Sequence, residues 1–282
     1  MLSYRHSYHA GNHADVLKHA ILVQLLEQLR QKDKPFWVID THAGAGIYAL
    51  DSEHAEKLGE YREGIGRLWQ RTDLPPALAA YVQHVRDCND DGSLRAYPGS
   101  PWLARAALRE QDRLRLFELH STDHRLLDNN LGHGGKQVMV YADDGFARLK
   151  ALLPPPSRRG LIFIDPSYEL REDYGRLIEV LEDARQRFAT GIYAVWYPML
   201  ARPESRQFAT RLKAVAGDAA WVHVTLCVRA IQQEGPGMYG SGMFILNPPW
   251  KLSDTLAHEL PWLRDALAGT PEASFTLEQQ TR

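Results

Sequence analysis

The chain of 282 residues is 44% hydrophobic, which is enough for a buried core and excludes disorder as the first expectation. A formal net charge of −2 at pH 7 excludes a globally basic nucleic-acid binder, although a local arginine cluster could still contact phosphates. Only two cysteines occur, far apart, and the N-terminal region has no signal-type apolar run, so we expect a cytoplasmic protein without disulfide bonds or membrane helices.

The first predicted element is a helix that ends near Arg30. Asn12 has the side chain of an N-cap, and Asp15 falls in the first turn that would follow it. Apolar residues then recur at helical spacing on one face, namely Val16, Leu17, Ile21, Leu25 and Leu29.

Five short apolar runs follow, at 36–40, 114–120, 137–143, 160–165 and 191–198. None of them alternates cleanly between apolar and polar residues, which is typical of strands that are covered on both faces of a parallel sheet. Stretches with helical spacing lie between them, for example 173–189. This alternation predicts an open α/β sheet.

Two segments interrupt the alternation. Residues 51–97 are charged and helical in pattern and are too long for a simple crossover, so we predict a helical insertion subdomain within a single domain spanning 1–282. Near the C-terminal end, the apolar runs 221–230 and 238–247 are joined by the short sequence IQQEGPG. Because this connection cannot hold a crossover helix, the two runs should form an antiparallel hairpin.

The sequence VIDTHAGAG places a glycine loop after the first core strand. Asp40 ends that strand, and Gly44 and Gly46 allow a tight turn before a helix is expected to begin. Ala49 stands at the third position of the dinucleotide-binding fingerprint. Since ligands of open α/β sheets bind outside the carboxyl ends of the strands, the loop marks that edge, although a merely tight turn would read the same way.

Acidic residues end the next two core strands. Glu118 follows the second strand, where an acid can accept hydrogen bonds from ribose hydroxyls. Asp143 and Asp144 follow the third strand, where either could accept the exocyclic amine of adenine or serve as a helix N-cap. Together these acids indicate an adenosine ligand across the sheet edge.

The fourth core strand ends in the sequence DPSY. The lone pair of an adenine N6 is delocalised into the ring, so a catalyst must draw the two N–H protons into hydrogen bonds and favour a pyramidal nitrogen. The Asp165 carboxylate and the Pro166 carbonyl are two suitable acceptors, and the ring of Tyr168 could stack on the base. An Asp-Pro turn with no chemical role is the alternative interpretation.

These motifs, together with YPGSP at 97–101 and the N-terminal string MLSYRHSYHAGNHADVLKH, closely resemble the RlmJ family of 23S rRNA adenine-N6 methyltransferases over essentially the whole chain. The resemblance implies a Rossmann-like class I fold of seven strands, with an antiparallel last hairpin and a helical insert. It implies S-adenosyl-L-methionine contacts at Lys18, His19, His42, Ser100, Glu118, Asp144 and Gly145. It also implies that Asp165 is the catalytic acceptor and that Tyr4, joined by His6, contacts RNA.

The chain departs from the family pattern within the DPSY motif. Ser167 stands where the commonest motif has a second proline, which should cost some preorganisation.

The histidines at the N-terminus fit no zinc spacing, so no metal is expected. The expected partner is naked or partly assembled 23S rRNA bound by a monomer. The alternatives are a DNA adenine-N6 methyltransferase, an NAD-dependent oxidoreductase and a non-enzymatic nucleic-acid binder that uses external DNA.

The sequence NPPW at 247–250 matches the Asn/Asp-Pro-Pro-aromatic pattern of amino methyltransferases better than DPSY does. Its hairpin arm should run antiparallel to the core strands, so Asn247 would lie at the edge opposite the glycine loop. We therefore predict that Asn247 is not catalytic, and that Pro248, Pro249 and Trp250 end the last strand and cover the bottom of the sheet.

Overall fold

The computed structural model describes residues 5–230 and 237–281. The predicted RNA contact Tyr4 lies outside these residues, so its role stays a prediction. The strands are β1 (Trp37–Asp40), β2 (Ile47–Ala49), β3 (Ala96–Pro98), β4 (Arg113–Phe117), β5 (Val138–Tyr141), β6 (Gly160–Ile164), β7 (Ile192–Met199), β8 (Trp221–Cys227), β9 (Gly240–Leu246) and β10 (Ser274–Gln280).

The main sheet has the strand order β10-β8-β9-β7-β6-β1-β4-β5. Five neighbouring strands pair in parallel, in the spatial order β7-β6-β1-β4-β5. Strand β9 pairs antiparallel with both β7 and β8. The α/β fold and the C-terminal hairpin are thus confirmed. The sheet has one strand more than the seven expected, because β10 adds to β8 in antiparallel. Its polar sequence, SFTLEQQ, has only two apolar residues and gave no strong strand signal.

The helices cover both faces of this sheet. They are α1 (His13–Arg30), α2 (Glu53–Leu58), α3 (Glu60–Glu63), α4 (Gly66–Trp69), α5 (Pro76–Asp87), α6 (Ser100–Ala106), α7 (Ser121–Leu131), α8 (Gly145–Leu152), α9 (Glu172–Arg187), α10 (Pro203–Ala216) and α11 (Leu252–Leu267). One buried apolar cluster joins α1, α5, α6, α7 and α11 to one face, and a second joins α8, α9 and α10 to the other. No helix of the described residues is long and apolar enough to cross a membrane.

Helix α1 has the predicted bounds. The Asn12 side chain accepts hydrogen bonds from the backbone N–H groups of Ala14 and Asp15, which caps the helix. Most of its residues are buried, including the polar Asp15, Lys18 and His19. Burying charged groups in a central helix is costly unless they are paired, so the partners of these side chains matter for function.

The helix predicted directly after the glycine loop is wrong. The short strand β2 follows the loop instead and pairs antiparallel with β3, with Tyr48 opposite Tyr97. The Tyr48 hydroxyl turns back to accept a hydrogen bond from the Ala45 N–H, and a Cβ on Gly44 would meet that hydroxyl at 2.1 Å. Gly44 has a φ of +61°, which glycine adopts without strain. Four helices, α2 to α5, then follow within 51–97, and the view of this stretch as a subdomain stays a prediction.

Candidate active site

The carboxyl ends of β1, β4, β5 and β6 lie along one edge of the sheet, which we call the carboxyl edge. They bring Asp40, Glu118, Asp144 and Asp165 to the same side. From β1 the chain proceeds to β4 and β5 in one direction across the sheet, and from β6 it proceeds to β7 in the opposite direction. The topological switch point therefore falls between the neighbouring strands β1 and β6. Open α/β sheets bind their ligands in the crevice at such a point, and Asp165 lies in it.

Asp165 is held by an ion pair with Lys18 of α1. The Lys18 Nζ lies 2.6 Å from the Asp165 Oδ2 and 2.7 Å from the Asp15 Oδ1. The Lys18 side chain is only 5% exposed, whereas that of Asp165 is 16% exposed. The ammonium is therefore shared between one fully buried carboxylate and one that opens toward the edge.

Asp15 extends this pair into a chain of charged groups. Its Oδ2 accepts hydrogen bonds from His6 Nε2 and from the Gly11 N–H, both at 2.9 Å. Burial alone would raise the pKa of Asp15, but His6 and Lys18 outweigh it and hold the pKa well below its usual range. Burial would likewise lower the pKa of Lys18, but its two carboxylate partners raise it. Asp15 is thus ionised and Lys18 charged.

His19, the neighbour of Lys18, contacts a pair of buried tyrosines. Its Nδ1 lies 2.7 Å from the Tyr97 hydroxyl, which in turn lies 2.9 Å from the Tyr81 hydroxyl. Burial lowers the pKa of His19 to about 3, so the imidazole is neutral at physiological pH. A neutral ring can exchange hydrogen bonds with a polar ligand but provides no charge to a carboxylate.

Asp40 and Ser100 form a buried pair at the end of β1. The Ser100 hydroxyl, on the first residue of α6, donates to Asp40 Oδ2 at 2.7 Å, and the His42 N–H donates to Oδ1 at 3.2 Å. Burial raises the pKa of Asp40 to about 7, although these donors favour its charged form. Their hydrogen bonds fix the start of the glycine loop relative to α6.

Glu118 closes the glycine loop from the end of β4. Its two carboxylate oxygens accept hydrogen bonds from the N–H groups of Gly44, at 2.8 Å, and His120, at 2.7 Å. Burial raises the pKa of this carboxyl above its usual value. Each oxygen keeps a further lone pair for a ligand hydroxyl.

Asp144 and Gly145 begin α8 beside the first strand. The Asp144 Oδ1 accepts hydrogen bonds from the N–H groups of Phe146, at 3.0 Å, and Ala147, while its other oxygen pairs with Arg176. A Cβ on Gly145 would lie 2.3 Å from the Thr41 carbonyl oxygen, so only glycine allows this approach. Burial would raise the pKa of Asp144, but Arg176 and the helix N–H groups lower it.

Asp143 and His42 flank this helix start. The Asp143 side chain pairs with Arg148 and is 37% exposed, against 28% for Asp144. The ring of His42 packs edge-on against Phe146 at 4.7 Å, and burial lowers its pKa to about 4. The structure therefore places His42 beside Asp144, and it gives Asp143 a partner on the outer side.

The predicted stacking role of Tyr168 needs correction. Its ring is 2% exposed and packs against Tyr174 and Phe208, and its hydroxyl donates to the Trp196 carbonyl. Because both ring faces lie within the core, Tyr168 supports the DPSY turn rather than offering a platform for a base. Pro166, between Asp165 and this tyrosine, is also buried.

Two residues at this site gave little signal in the sequence. Asp15 looked like an ordinary first-turn acid, and only its spacing of three residues from Lys18 hints at a pair. Trp196 neighbours Asp165 across β6 and β7, because Ile164 pairs with Val195. Its ring lies 5.3 Å from Lys18 Nζ, and its buried indole N–H has no partner in the described part of the chain.

The NPPW segment lies at the opposite edge of the sheet, which we call the amino edge. The Asn247 side chain donates to the carbonyls of Ala189 and Gly191, which precede β7. This confirms that Asn247 is remote from the glycine loop. The two prolines and Trp250 do not end the last strand, because β10 follows, and Trp250 is 77% exposed rather than covering the sheet.

The side chains of Arg159 and Arg202 are held by contacts within the fold. Arg159 donates to the backbone carbonyls of Leu29 and Lys34, and Arg202 donates to the carbonyl of Tyr168.

For metals, no group of three or more His, Cys, Asp or Glu side chains within 5–230 and 237–281 could hold an ion.

Comparison with known proteins gives one consistent family. A family model described as "Ribosomal RNA large subunit methyltransferase D, RlmJ" matches residues 33–280. The ribosomal RNA large subunit methyltransferase J of Escherichia coli is 50% identical over 278 residues and covers 98% of each chain. The protein of the same name from Haemophilus influenzae is 47% identical and covers 99% of this chain and 98% of its own. A crystal structure from Legionella pneumophila, 39% identical, superposes with a TM-score of 0.89 over 97% of this chain and 99% of its own. The chain therefore belongs to the RlmJ family of ribosomal RNA large subunit methyltransferases, as its motifs indicated.

Proposed function

We propose that this chain transfers a methyl group from S-adenosyl-L-methionine to N6 of one adenosine in 23S ribosomal RNA. The observation that carries the proposal is the Asp165–Lys18 ion pair at the topological switch point. Lys18 occupies one carboxylate oxygen, so the other oxygen and the Pro166 carbonyl remain as the two acceptors that an adenine amino group requires. Membership of the RlmJ family supports the same reaction.

The residues at the ends of β1, β4 and β5 fit the adenosine part of such a cofactor. Glu118 is fixed by two backbone donors and is assigned to the ribose hydroxyls. Asp144, fixed by the first turn of α8, is assigned to the adenine amine, with His42 beside it. Gly145 has no Cβ, so α8 can begin directly against the Thr41 backbone next to Asp144, and we assign this position to cofactor contact as well. The bound cofactor would supply an electrophilic methyl group on a sulfonium.

The methionyl end is assigned to the crevice between α1, α6 and the glycine loop. His19 and Ser100 lie there, each oriented by a buried partner. Lys18 was expected to contact the cofactor, but its ammonium is shared by Asp15 and Asp165. We therefore assign Lys18 a positioning role at the catalytic carboxylate instead.

Asp165 and Pro166 would act on the target amine. Hydrogen bonds from the two N6 protons to the Asp165 carboxylate and the Pro166 carbonyl favour a pyramidal nitrogen whose lone pair is available for bonding. As the N–C bond forms, the nitrogen becomes acidic and its extra proton passes to Asp165. Lys18 fixes the orientation of this carboxylate and stabilises its negative charge.

The target base must reach this carboxylate outside a duplex. Extruding a paired base costs a few kcal/mol, so naked or partly assembled rRNA should be preferred. His6 lies on Asp15 with 20% of its side chain exposed, which supports its predicted place near the substrate. Trp196 replaces Tyr168 as the candidate aromatic contact, because it neighbours Asp165 and touches Lys18.

The alternatives fit the site less well. Dinucleotide binders place the pyrophosphate at the N-terminus of the helix after the glycine loop, and here the strand β2 follows that loop. A purely non-enzymatic role in binding external DNA leaves the buried Lys18–Asp165 pair without a purpose. DNA as the methyl acceptor remains a variant of the same chemistry and is separated by experiment.

The test is methyl transfer from labelled S-adenosyl-L-methionine to 23S rRNA taken from cells that lack the gene, with unmethylated DNA assayed in parallel. We expect label only on rRNA, as N6-methyladenosine. Asp165→Asn should abolish transfer while calorimetry shows that cofactor affinity is retained. Absence of label on rRNA would contradict the proposal, and label on DNA alone would favour the variant.

Three further measurements test the proposal. A thermal-shift comparison should show stabilisation by S-adenosyl-L-methionine and none by NAD, since only a ligand that binds the native state raises the melting temperature. Light scattering is expected to give the mass of a monomer. Action on ribosomal RNA implies a cytoplasmic location, which fractionation of expressing cells can check.

A further inference from the structure

The amino edge of the sheet carries a cleft that the methyl-transfer site does not use. It has a volume of about 480 Å³ and is lined by the NPPW segment at 247–250, by Trp221 of β8, and by Gln279 and Gln280 of β10. It lies at the opposite edge from Asp165. We call it the amino-edge cleft.

Trp250 is an exposed aromatic side chain of this cleft. It is 77% exposed, which is the largest exposed fraction among the exposed large hydrophobic side chains of the described residues. The Nζ of the next residue, Lys251, lies 4.8 Å from the centroid of its ring. The exposed indole and the neighbouring ammonium together offer a ligand a surface for stacking and a positive charge.

Hydrogen bonds and two prolines constrain the backbone that carries Trp250. Asn247 adopts a φ of +52°, and its side chain donates to the carbonyls of Ala189 and Gly191 at 2.9 and 2.8 Å. Two prolines follow, and the Leu252 N–H then donates to the Pro249 carbonyl at 3.0 Å as α11 begins. The indole is thus presented by a fixed loop, which lowers the entropy lost when a ligand stacks on it.

The chemistry of the cleft matches a nucleotide better than a protein surface. Stacking on an exposed aromatic ring with a cation alongside is the usual way in which proteins hold unpaired bases and their phosphates. A protein partner would instead need a contiguous apolar patch. The other large exposed hydrophobic residues belong to other elements of the fold, namely Leu58, Leu119, Leu126, Met139 and Leu170.

We propose that the amino-edge cleft binds an unpaired nucleotide of the RNA substrate, with its base stacked on Trp250 and its phosphate near Lys251. This inference rests on the proposed function, because it assumes an RNA substrate. Gly191, which contacts Asn247 at the cleft, and Trp196, which neighbours Asp165, are five residues apart along the chain. At the rise per residue of a strand, the two sites lie on the order of 15 Å apart along β7. The nucleotide bound here is therefore distinct from the target adenosine, and it gives the enzyme a second point of contact with folded rRNA.

The test uses a short, fluorescein-labelled oligouridylate, which offers unpaired bases but no adenine for the catalytic site. Its binding to the full chain is measured by fluorescence anisotropy at low salt. Trp250→Ala should weaken binding about 5- to 150-fold, the range that corresponds to loss of one stacked base. Trp250→Phe should retain most of the affinity, and Asp165→Asn should leave it unchanged. Equal binding by Trp250→Ala and the parent would overturn the proposal.

Activity assays separate this inference from the proposed function. Trp250→Ala should raise the KM for 23S rRNA but leave kcat unchanged, and it should leave transfer to a minimal RNA hairpin around the mapped adenosine unchanged. A parent protein that methylates no RNA would contradict the proposed function alone, since the oligouridylate assay needs no catalysis. Equal losses on both RNAs, or a change from dimer to monomer in light scattering on Trp250→Ala, would instead identify a structural or self-association role and overturn the inference.

Discussion

The Nζ of Lys18 lies 2.6 Å from the Oδ2 of Asp165, so the first helix of the chain holds the carboxylate at the end of β6. The same Nζ lies 2.7 Å from Asp15, whose other oxygen accepts a hydrogen bond from His6. The N-terminal segment thus contributes to the orientation of a residue that lies 147 positions further along the chain. A charge-assisted hydrogen bond of this kind is strong because the donor is buried and cannot exchange its partner for water.

Replacement of Lys18 by Met should therefore abolish most methyl transfer. Without the ammonium, Asp165 loses its orientation and the stabilisation of its charge, and we expect kcat to fall about 100-fold or more, within the range of a lost catalytic positioning contact. Affinity for S-adenosyl-L-methionine, measured by calorimetry, should change little. A large loss of cofactor affinity with kcat retained would return Lys18 to the cofactor-binding role that the sequence first indicated.

The stability of this variant provides a control. Lys18→Met leaves Asp15 with one cationic partner fewer in a buried position, which costs about 3 to 5 kcal/mol of unfolding free energy. The double variant Asp15→Asn with Lys18→Met removes the unpaired charge, so it should recover part of the melting temperature. Activity should not recover with it, which would separate folding from catalysis.

Gly145→Ala should reduce both stability and cofactor affinity. The added Cβ would lie 2.3 Å from the Thr41 carbonyl oxygen, so α8 must move away from β1 by a distance that the packed backbone resists. We expect a loss of about 1 to 3 kcal/mol in unfolding free energy and weaker binding of S-adenosyl-L-methionine. The matched control is Gly175→Ala in α9, where no atom lies within 4 Å of the new Cβ. That change should be neutral or slightly stabilising, because alanine favours a helix. Equal effects of the two substitutions on cofactor affinity would argue against the site.

Asp144, and not Asp143, should control affinity for the cofactor. The carboxylate of Asp144 is fixed by the first turn of α8 and lies on the side of His42, whereas Asp143 pairs outward with Arg148. Asp144→Asn keeps an oxygen for the N-cap but removes the charge, and we expect about a tenfold rise in Kd, worth roughly 1.4 kcal/mol. Asp143→Asn should change Kd less than twofold in the same calorimetric titration. The reverse order would assign the adenine amine to Asp143.

The features that the sequence predicted correctly are those that depend on short runs of residues. The core strands could be placed because buried parallel strands are continuous apolar runs, and the acids that follow them must share one edge. For the same reason Asn247 could be assigned to the opposite edge without any knowledge of side-chain contacts. The direction of the preceding strand was enough to assign DPSY, and not NPPW, to the edge that carries the glycine loop.

The features that were missed depend on contacts between distant parts of the chain. The strand β2 forms because Tyr48 faces Tyr97 across the sheet, which no local pattern around the glycines shows. Tyr168 turns inward because α9 and α10 provide Tyr174 and Phe208 as ring partners. Its φ of +52° belongs to a turn that the sequence DPSY does not specify. The prediction of a stacking platform failed for that reason.

The buried carboxyl of Glu259 connects α11 to α1. Glu259 is 2% exposed and accepts a hydrogen bond from Gln24 Nε2, while its Oε1 and that of Gln24 have no partner in the described parts of the chain. Burial raises the pKa of Glu259 to about 7, so the native state holds a proton there that the unfolded chain releases near pH 4.5. The contribution of this proton to the free energy of unfolding is fully present below the pKa of the unfolded chain and is lost as the pH rises to about 7. Above that pH the native state is less stable by a constant amount of roughly 3 kcal/mol.

Glu259→Gln should remove this dependence, because an amide of the same shape carries no charge at any pH. We expect the variant to melt several degrees higher than the parent at pH 8, and the gain to shrink steadily as the pH falls toward 5. Differential scanning calorimetry at several pH values measures both curves, and Glu179→Gln, at a solvent-exposed position of α9, serves as the control that should show no such trend. A difference between parent and Glu259→Gln that stays constant from pH 5 to pH 8 would show that the carboxyl is ionised in the native state, held by its hydrogen bond to Gln24 despite its burial.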